Sequence, residues 1–322
     1  MSNTERNVLF GMENSLNLAQ KISERVKLPL TPIKKEVFAD GEILLSSTET
    51  VRNSNVFIVA STHTPVNDNI MELLIFIDSL KRASAKEITV ILSYYGYARQ
   101  DRKAKGRQPI AAKLVANLLE TAGATKIIAV DLHNPSIQGF FNIPLDDLRG
   151  QYVLARRLRE KHKDFTVVSP DHGGAVRARI LSELISDSVK IAIIDKRRVG
   201  TNQIEVLGMI GTIDSEHAVL VDDIIDTGGT ILNAAKIVKE HGAKTVTIVA
   251  THGIFSKGFE AFEQSEYVDK VIISDSIDRT QLLEKYTKLE VVSLCDFISQ
   301  VIIATINRSS VSDIYKGFRN DL

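Results

Sequence analysis

The stretch VDDIIDTGGT, Val221–Thr230, decides the fold. The apolar residues Ala218, Val219 and Leu220 lead into it, and Ile231, Ala234, Ala235 and Val238 follow at helical spacing. This predicts a strand over Ala218–Val221, a polar glycine turn, and a helix over 230–241. Another strand-like run, Thr245–Ala250, comes next. Strand, helix and strand in that order require a parallel sheet with a helical crossover.

The pattern continues along the chain. Further strand candidates are Asn55–Ser61, Ile88–Tyr94, Lys126–Leu132, Phe165–Ser169, Lys190–Ile194 and Lys270–Ser274. A helix is expected over 110–122, where Ala111, Leu114, Val115, Leu118 and Leu119 recur at helical spacing. The fold class is therefore α/β, with mostly parallel sheets flanked by helices. AAKLVANLLETAGATKIIAVDLH (111–133) parallels AAKIVKEHGAKTVTIVATH (234–252), the second helix being shorter by about one turn. After the helix the register holds: Gly123 matches Gly242, His133 matches His252, and Gly139-Phe140 matches Gly258-Phe259. These shared offsets read as a duplicated α/β unit. A boundary near Gly150 gives one half over 1–149, joined by the segment 300–322, and another over 150–299.

Composition narrows the class of protein. The chain has 322 residues, 44% hydrophobic and 25% charged, which suits two globular domains. Lys plus Arg equals Asp plus Glu at 40 each, so net charge points to neither a nucleic-acid nor a membrane partner. Apolar runs such as Leu73–Ile77 are far short of a membrane span. The single cysteine, Cys295, rules out an intrachain disulfide framework and fits a reducing compartment. The start, MSNTERNVLFGMENS, lacks the basic-then-apolar pattern of a signal peptide, and a cytoplasmic protein is expected.

The chemistry of the opening stretch follows from its residue types. Backbone N–H groups at a helix start are unpaired within the helix and bind phosphate. Glycine lets that backbone approach a ligand closely, and Thr227 and Thr230 add hydroxyl donors. An anion explains the glycines but not Asp222 and Asp223. Two adjacent acids at a strand's carboxyl end suit the hydroxyls of a sugar, or a hydrated Mg²⁺. Together they read as a cradle for ribose 5-phosphate. A Walker loop is excluded, since it needs Gly-Lys-Ser/Thr.

VDDIIDTGGT resembles the ribose-phosphate loop of the type I phosphoribosyltransferase fold. The rest of the chain resembles one family, the ribose-phosphate diphosphokinases. The likeness runs nearly end to end through FADGE (38–42), YYGYARQDRK (94–103), DLHNPSIQGFF (131–141), SPDHGG (169–174), IDKRR (194–198), DDIIDTGGT (222–230) and SVSDIY (310–315). The resemblance implies two similar phosphoribosyltransferase-type domains. It also implies transfer of the β,γ-diphosphoryl group of ATP to the 1-hydroxyl of ribose 5-phosphate. Such transfers depend on positioning and on neutralising spreading charge, with no protein nucleophile.

The same resemblance assigns residues. Phe38, Asp40 and Glu42 match a loop that reaches ATP bound by a neighbouring subunit, with the aromatic face for stacking and the carboxylates for the adenine amino group. Arg99, Gln100 and Asp101 match ATP contacts, and His133 and Asp171 match Mg²⁺ ligands. Asp171, His172, Gly173 and Gly174 match the loop beside the transferred diphosphate. Asp222, Asp223, Asp226, Thr227, Gly228, Gly229 and Thr230 match the ribose 5-phosphate loop. Lys196 and Arg198 match the catalytic cations of a flap that closes over the reacting phosphates and shuts out water. Thr50, Arg52, Ser84, Arg107, Ser310 and Ser312 match an anion site of the phosphate-activated members, for which ADP is an inhibitor. A hexamer is implied.

The chain departs from the family's pattern in places. Val199 stands for the usual Pro after KRR, Ser93 for a Pro before the two tyrosines, and Asn134 and Ser136 for the Ala and Gln after DLH. Asn53 and Ala39 replace a usual Gly and Ser. None of these removes a catalytic group. Two rivals remain open: a phosphoribosyltransferase, against which FADGE and YARQD argue, and a divergent regulatory subunit, against which the intact His133, Asp171, Lys196 and Arg198 argue.

Overall fold

The computed structural model describes residues 5–161, 164–186, 188–200 and 203–320. The chain divides into two compact units. The first runs through Arg149 and takes in Ser276–Asp278 and Cys295–Val311. The second holds Gly150–Asp275, Arg279–Leu294 and the residues from Ser312 onward.

In the first unit the strands are β1 (Asn7–Gly11), β2 (Ile33–Val37), β3 (Ile43–Ser47), β4 (Asn55–Ser61), β5 (Glu87–Tyr94), β6 (Lys126–Val130) and β7 (Leu145–Leu148). Its helices are α1 (Leu16–Val26), α2 (Val66–Arg82) and α3 (Ala111–Ala122). Five strands form a wholly parallel sheet in the order β1-β4-β5-β6-β7. β4 and β5 are buried along nearly their whole length. Helices on both faces require this, and it is why these strands read as unbroken apolar runs. β2 and β3 form a separate antiparallel hairpin.

One sequence feature reads differently in three dimensions. α3 turns Ala111, Ala112, Val115, Ala116 and Leu119 inward, while Leu114 is 58% and Leu118 39% exposed. The alanines let the helix lie close to the sheet, so the buried stripe is centred on them. Ser93, at the end of β5, donates its hydroxyl to the carbonyl of Ser276 at 2.7 Å and so ties the returning segment to this sheet.

The second unit has strands β8 (Thr166–Ser169), β9 (Ile191–Gly200), β10 (Gln203–Ile210), β11 (His217–Ile225), β12 (Thr245–Gly253), β13 (Lys270–Ser274) and β14 (Leu289–Val292). Its longer helices are α4 (Gln151–Lys161), α5 (Ala175–Ile185) and α6 (Gly229–Glu240), with the short α7 at Glu260–Glu263. Helix α8 (Cys295–Asn307) belongs to the first unit and α9 (Ser312–Asn320) to the second. The segment 300–322 therefore divides after Val311, and Tyr315 of α9 packs edge-on against Tyr152 of α4, ring centroids 5.0 Å apart. The sheet order is β10-β9-β8-β11-β12-β13-β14, parallel throughout except for β10 against β9.

From β8 the chain steps outward through α5 to β9. From β11 it steps the other way through α6 to β12. The pair β8–β11 is thus a topological switch point, where open α/β sheets bind ligands beyond the carboxyl ends of the strands. The core beneath is built from Val168, Leu220, Ile248 and Ile273 of the sheet with Ile231, Ala234, Ala235 and Val238 of α6. Among the described residues no helix is long and apolar enough to cross a membrane.

Candidate active site

The sequence-predicted residues of the second unit gather at this switch point. Val167 and Val168 of β8 lie opposite Val219 and Leu220 of β11, so the SPDHGG turn and the DDIIDTGGT stretch leave the sheet side by side. On the other side β9 pairs with β8 through Ser169 opposite Ile193, which puts Lys196 and Arg198 on a strand extension next to the turn. Their backbone pairs with β10 at Val206 and Ile204, while their side chains lie outside the described residues, as do Thr201 and Asn202. Strand order therefore lays the β9 extension, the SPDHGG turn and the acidic stretch in sequence along one edge.

Each element has a local reason for its shape. Asp171 caps the short helical turn His172–Gly174, accepting the Gly174 N–H at 3.0 Å, and Ser169 Oγ donates to the Asp171 carbonyl at 2.6 Å. Gly174 is required there, because a Cβ would meet Ser169 Oγ at 2.7 Å. His172 Nε2 lies 2.9 Å from Asp195 Oδ1, which joins the turn to the residue before Lys196. The acidic strand runs further than its apolar pattern: β11 continues to Ile225, with Asp222 opposite Ala250 and Ile224 opposite His252. Gly228 then takes φ 86° at the start of α6, and no side chain caps that helix. Its first-turn N–H groups thus have no side-chain acceptor of this kind, and Thr227, Gly229 and Thr230 beside them are exposed. Asp226 accepts the Ser256 hydroxyl at 2.6 Å, which braces the loop from below.

Sequence reasoning missed one residue of this site. Arg177, on α5, places its NH1 3.1 Å from Asp222 Oδ1 and its NH2 3.0 Å from Asp223 Oδ1. Nothing in the linear pattern marks it, since only the packing of α5 over β8 and β11 brings it to the acids. Burial and the neighbouring Asp223 push the Asp222 carboxyl up to about 7, and Arg177 opposes that shift.

The first unit carries the other candidates. FADGE is the tip of the β2–β3 hairpin. Asp40 accepts the Glu42 N–H at 3.1 Å, and Phe38 stands 47% exposed. In the first unit, Arg99 and Gln100 are exposed beyond β5, and Asp101 is held by Asn134 Nδ2 at 2.6 Å. Asn134 is one of the departures from the family pattern, and it links the RQD turn to the residue beside His133. The exposed His133 follows β6 in a loop fixed by Asp147, which accepts the Leu132 N–H at 3.1 Å. Burial pushes Asp147 up to about 7.

Among the described residues no three or more His, Cys, Asp or Glu gather as a metal cage. Of the anion-site candidates, the structure brings three together: Arg52 donates to Ser84 Oγ at 3.3 Å and its backbone N–H to Thr50 Oγ1 at 3.4 Å. Arg107 is exposed in the same unit, Ser310 belongs to that unit, and Ser312 belongs to the second.

Comparison with known proteins agrees with this arrangement. Residues 7–123 match the model described as the N-terminal domain of ribose phosphate pyrophosphokinase, and residues 151–284 match the phosphoribosyl transferase domain. A ribose-phosphate pyrophosphokinase of Mycoplasmopsis pulmonis is 63% identical over 98% of this chain and 98% of its own. One from Ureaplasma parvum is 47% identical over 94% and 92%. The crystal structure of phosphoribosylpyrophosphate synthetase from Mycobacterium smegmatis superposes with a TM-score of 0.87 at 37% identity, covering 95% of this chain and 100% of that one. With an acid pair and an uncapped helix at one switch point, and matches across both halves, the chain belongs to the ribose-phosphate pyrophosphokinase family.

Proposed function

We propose a division of labour within the reaction of this ribose-phosphate pyrophosphokinase, which makes PRPP from ribose 5-phosphate and ATP. The second unit holds ribose 5-phosphate: Asp222 and Asp223 accept hydrogen bonds from the ring hydroxyls, and Thr227–Thr230 with the start of α6 hold the 5-phosphate. The acid pair beside an uncapped, glycine-opened helix start carries this reading. The first unit provides Arg99, Gln100 and Asp101 for ATP. Phe38, Asp40 and Glu42 serve ATP on a neighbouring subunit, for which an exposed hairpin tip is suited.

In the transfer, the 1-hydroxyl oxygen bonds to the β-phosphorus and loses its proton to water, the bond from that phosphorus to the α,β-bridging oxygen breaks, and AMP leaves with that oxygen. Orientation is the main contribution of the chain. The SPDHGG turn lies beside the ribose loop and offers backbone N–H groups to the moving diphosphate. Lys196 and Arg198 meet the charge that shifts among the phosphate oxygens. Asp171 in the second unit and His133 in the first would each serve as a ligand for Mg²⁺, which when bound neutralises phosphate charge. Thr50, Arg52, Ser84, Arg107, Ser310 and Ser312 form an anion site through which phosphate activates and ADP inhibits. The working assembly is a hexamer in the cytoplasm.

The test is to incubate the purified protein with ATP, Mg²⁺ and ribose 5-phosphate and measure AMP and PRPP, which are expected in equal amounts. Asp223→Ala should weaken ribose 5-phosphate use and leave ATP binding nearly intact. Unchanged dependence on ribose 5-phosphate would sink the assignment.

A further inference from the structure

Arg177 is the group around which the acidic loop is organised. Successive side chains on a strand point to opposite faces. At the end of β11 both carboxylates nonetheless reach one guanidinium: NH1 to Asp222 Oδ1 at 3.1 Å and NH2 to Asp223 Oδ1 at 3.0 Å. Asp222 Oδ1 also accepts the Asp223 N–H at 2.9 Å, which closes the pair into a fixed corner. The planar fork of an arginine holds its two donors at a fixed spacing, one for each acceptor, whereas a lysine offers a single point charge on a flexible stem.

The arginine is itself held from two sides. Its carbonyl accepts from Gln151 Nε2 at 3.0 Å, and Gln151 is 5% exposed. Its guanidinium lies against Gly174, where a Cβ would stand 3.6 Å from NH1. The position of the acids is thus referred to the turn proposed for the diphosphate. Charge gives the second reason. Asp223 is 5% exposed, and two adjacent carboxylates in such a place disfavour joint ionisation. A cation shared between them keeps both available as acceptors.

We propose that Arg177 is a positioning residue for ribose 5-phosphate, holding Asp222 and Asp223 in a fixed corner aimed at the ring hydroxyls and favouring their charged forms. This rests on the reading of those acids as the ribose acceptors. Arg177→Met keeps the stem and removes the fork. It should raise KM for ribose 5-phosphate by about 30-fold while kcat and KM for ATP change by less than about threefold. Arg177→Lys restores the charge without the fork and should recover part of the loss, to about fivefold above the parent. Calorimetric titration of ribose 5-phosphate into each protein should show the same order.

Equal rises in both KM values, or a fall in kcat with KM unchanged, would overturn the proposal, because Arg177 would then serve the phosphates or the fold alone. Should Arg177→Met not fold, the lysine variant decides: an unchanged KM for ribose 5-phosphate refutes the role, and a selective rise supports it. Asp223→Asn run in parallel separates the two claims. If it leaves KM for ribose 5-phosphate unaltered, the acids are not the ribose acceptors and both readings fall. If it raises that KM while Arg177→Met does not, only the role of Arg177 falls.

Discussion

The adjacent glycines Gly228 and Gly229 should respond in opposite ways to the same methyl group. Gly228 takes φ 86°, and a Cβ there would stand 2.6 Å from Cζ and 2.8 Å from Cε2 of Phe262. Phe262 is fully buried and packed against Phe259 and Phe255, ring centroids 5.2 and 5.5 Å away. The ring has nowhere to retreat. Left-handed backbone costs an alanine about 1–2 kcal/mol, and forcing a methyl into a filled core costs roughly 1–3 kcal/mol more. Gly228→Ala should therefore destabilise the second unit by about 2–5 kcal/mol. At about 2–4 °C per kcal/mol for a unit of this size, Tm should fall by roughly 4–20 °C.

Gly229 has no heavy atom within 4 Å of its virtual Cβ and no left-handed φ. It is the first residue of α6, where alanine is the better helix former by up to about 1 kcal/mol. Gly229→Ala should leave Tm equal or slightly raised. The open space beside it is where the 5-phosphate is proposed to lie, so KM for ribose 5-phosphate should rise about tenfold or more, equivalent to about 1.4 kcal/mol of binding. Differential scanning fluorimetry and steady-state kinetics read the two effects separately. A Gly229→Ala enzyme with unaltered use of ribose 5-phosphate would refute the placement of the phosphate, whatever its stability.

Lys196→Ala and Arg198→Ala should each lower kcat by about 10²-fold, or about 2.7 kcal/mol, with KM values little changed; loss confined to KM for ATP would assign these residues to ordinary binding. Asp222, raised to about 7, gives two pH trends of opposite sign. Its protonation favours the fold, a contribution full below about 4 and lost as pH rises through about 7, whereas ribose binding needs the ionised form. The kcat/KM for ribose 5-phosphate should fall as pH drops through about 7, and Asp222→Asn should remove that limb. Finally, inactive Asp40→Ala and inactive Asp171→Ala chains, mixed and allowed to exchange subunits, should regain activity; no regain with exchange demonstrated would place the whole site on one chain.

How much of this was legible in the sequence depended on burial. Asn55–Ser61 and Lys270–Ser274 match the observed strands to the residue, because strands covered on both faces leave unbroken apolar runs. The apolar run shows only Lys190–Ile194 of β9, since its continuation, Asp195–Gly200, carries a basic run and pairs only with the edge strand β10. The hairpin strand β2, IKKEV, is exposed at four of its five residues, and β7 is the charged LDDL; neither shows an apolar period to detect. The site was legible where chemistry demanded adjacent residues, as in Asp222-Asp223 and Gly228-Gly229. It was illegible where a partner arrives from another helix, as Arg177 does from α5, or from another loop, as Asn134 reaches Asp101.

The matched histidines show how one sequence pattern takes two local structures. His133 and His252 follow strands of the same pattern at the same offset. β12 runs on to Gly253, paired through Ile224 opposite His252, and His252 is 1% exposed inside the sheet. β6 stops at Val130; Asp131 turns the chain with φ 42°, and His133 emerges into an exposed loop braced by Asp147. A difference of a few residues in where a strand ends thus decides whether the same histidine is core or surface. The converse holds on the neighbouring strand of each sheet. β5 ends at Tyr94 before the YARQD turn, whereas β11 extends through its acids to Ile225 and presents them to Arg177. On similar parallel scaffolds, the lengths of the strands at one end decide which of the matched side chains are presented and which are buried.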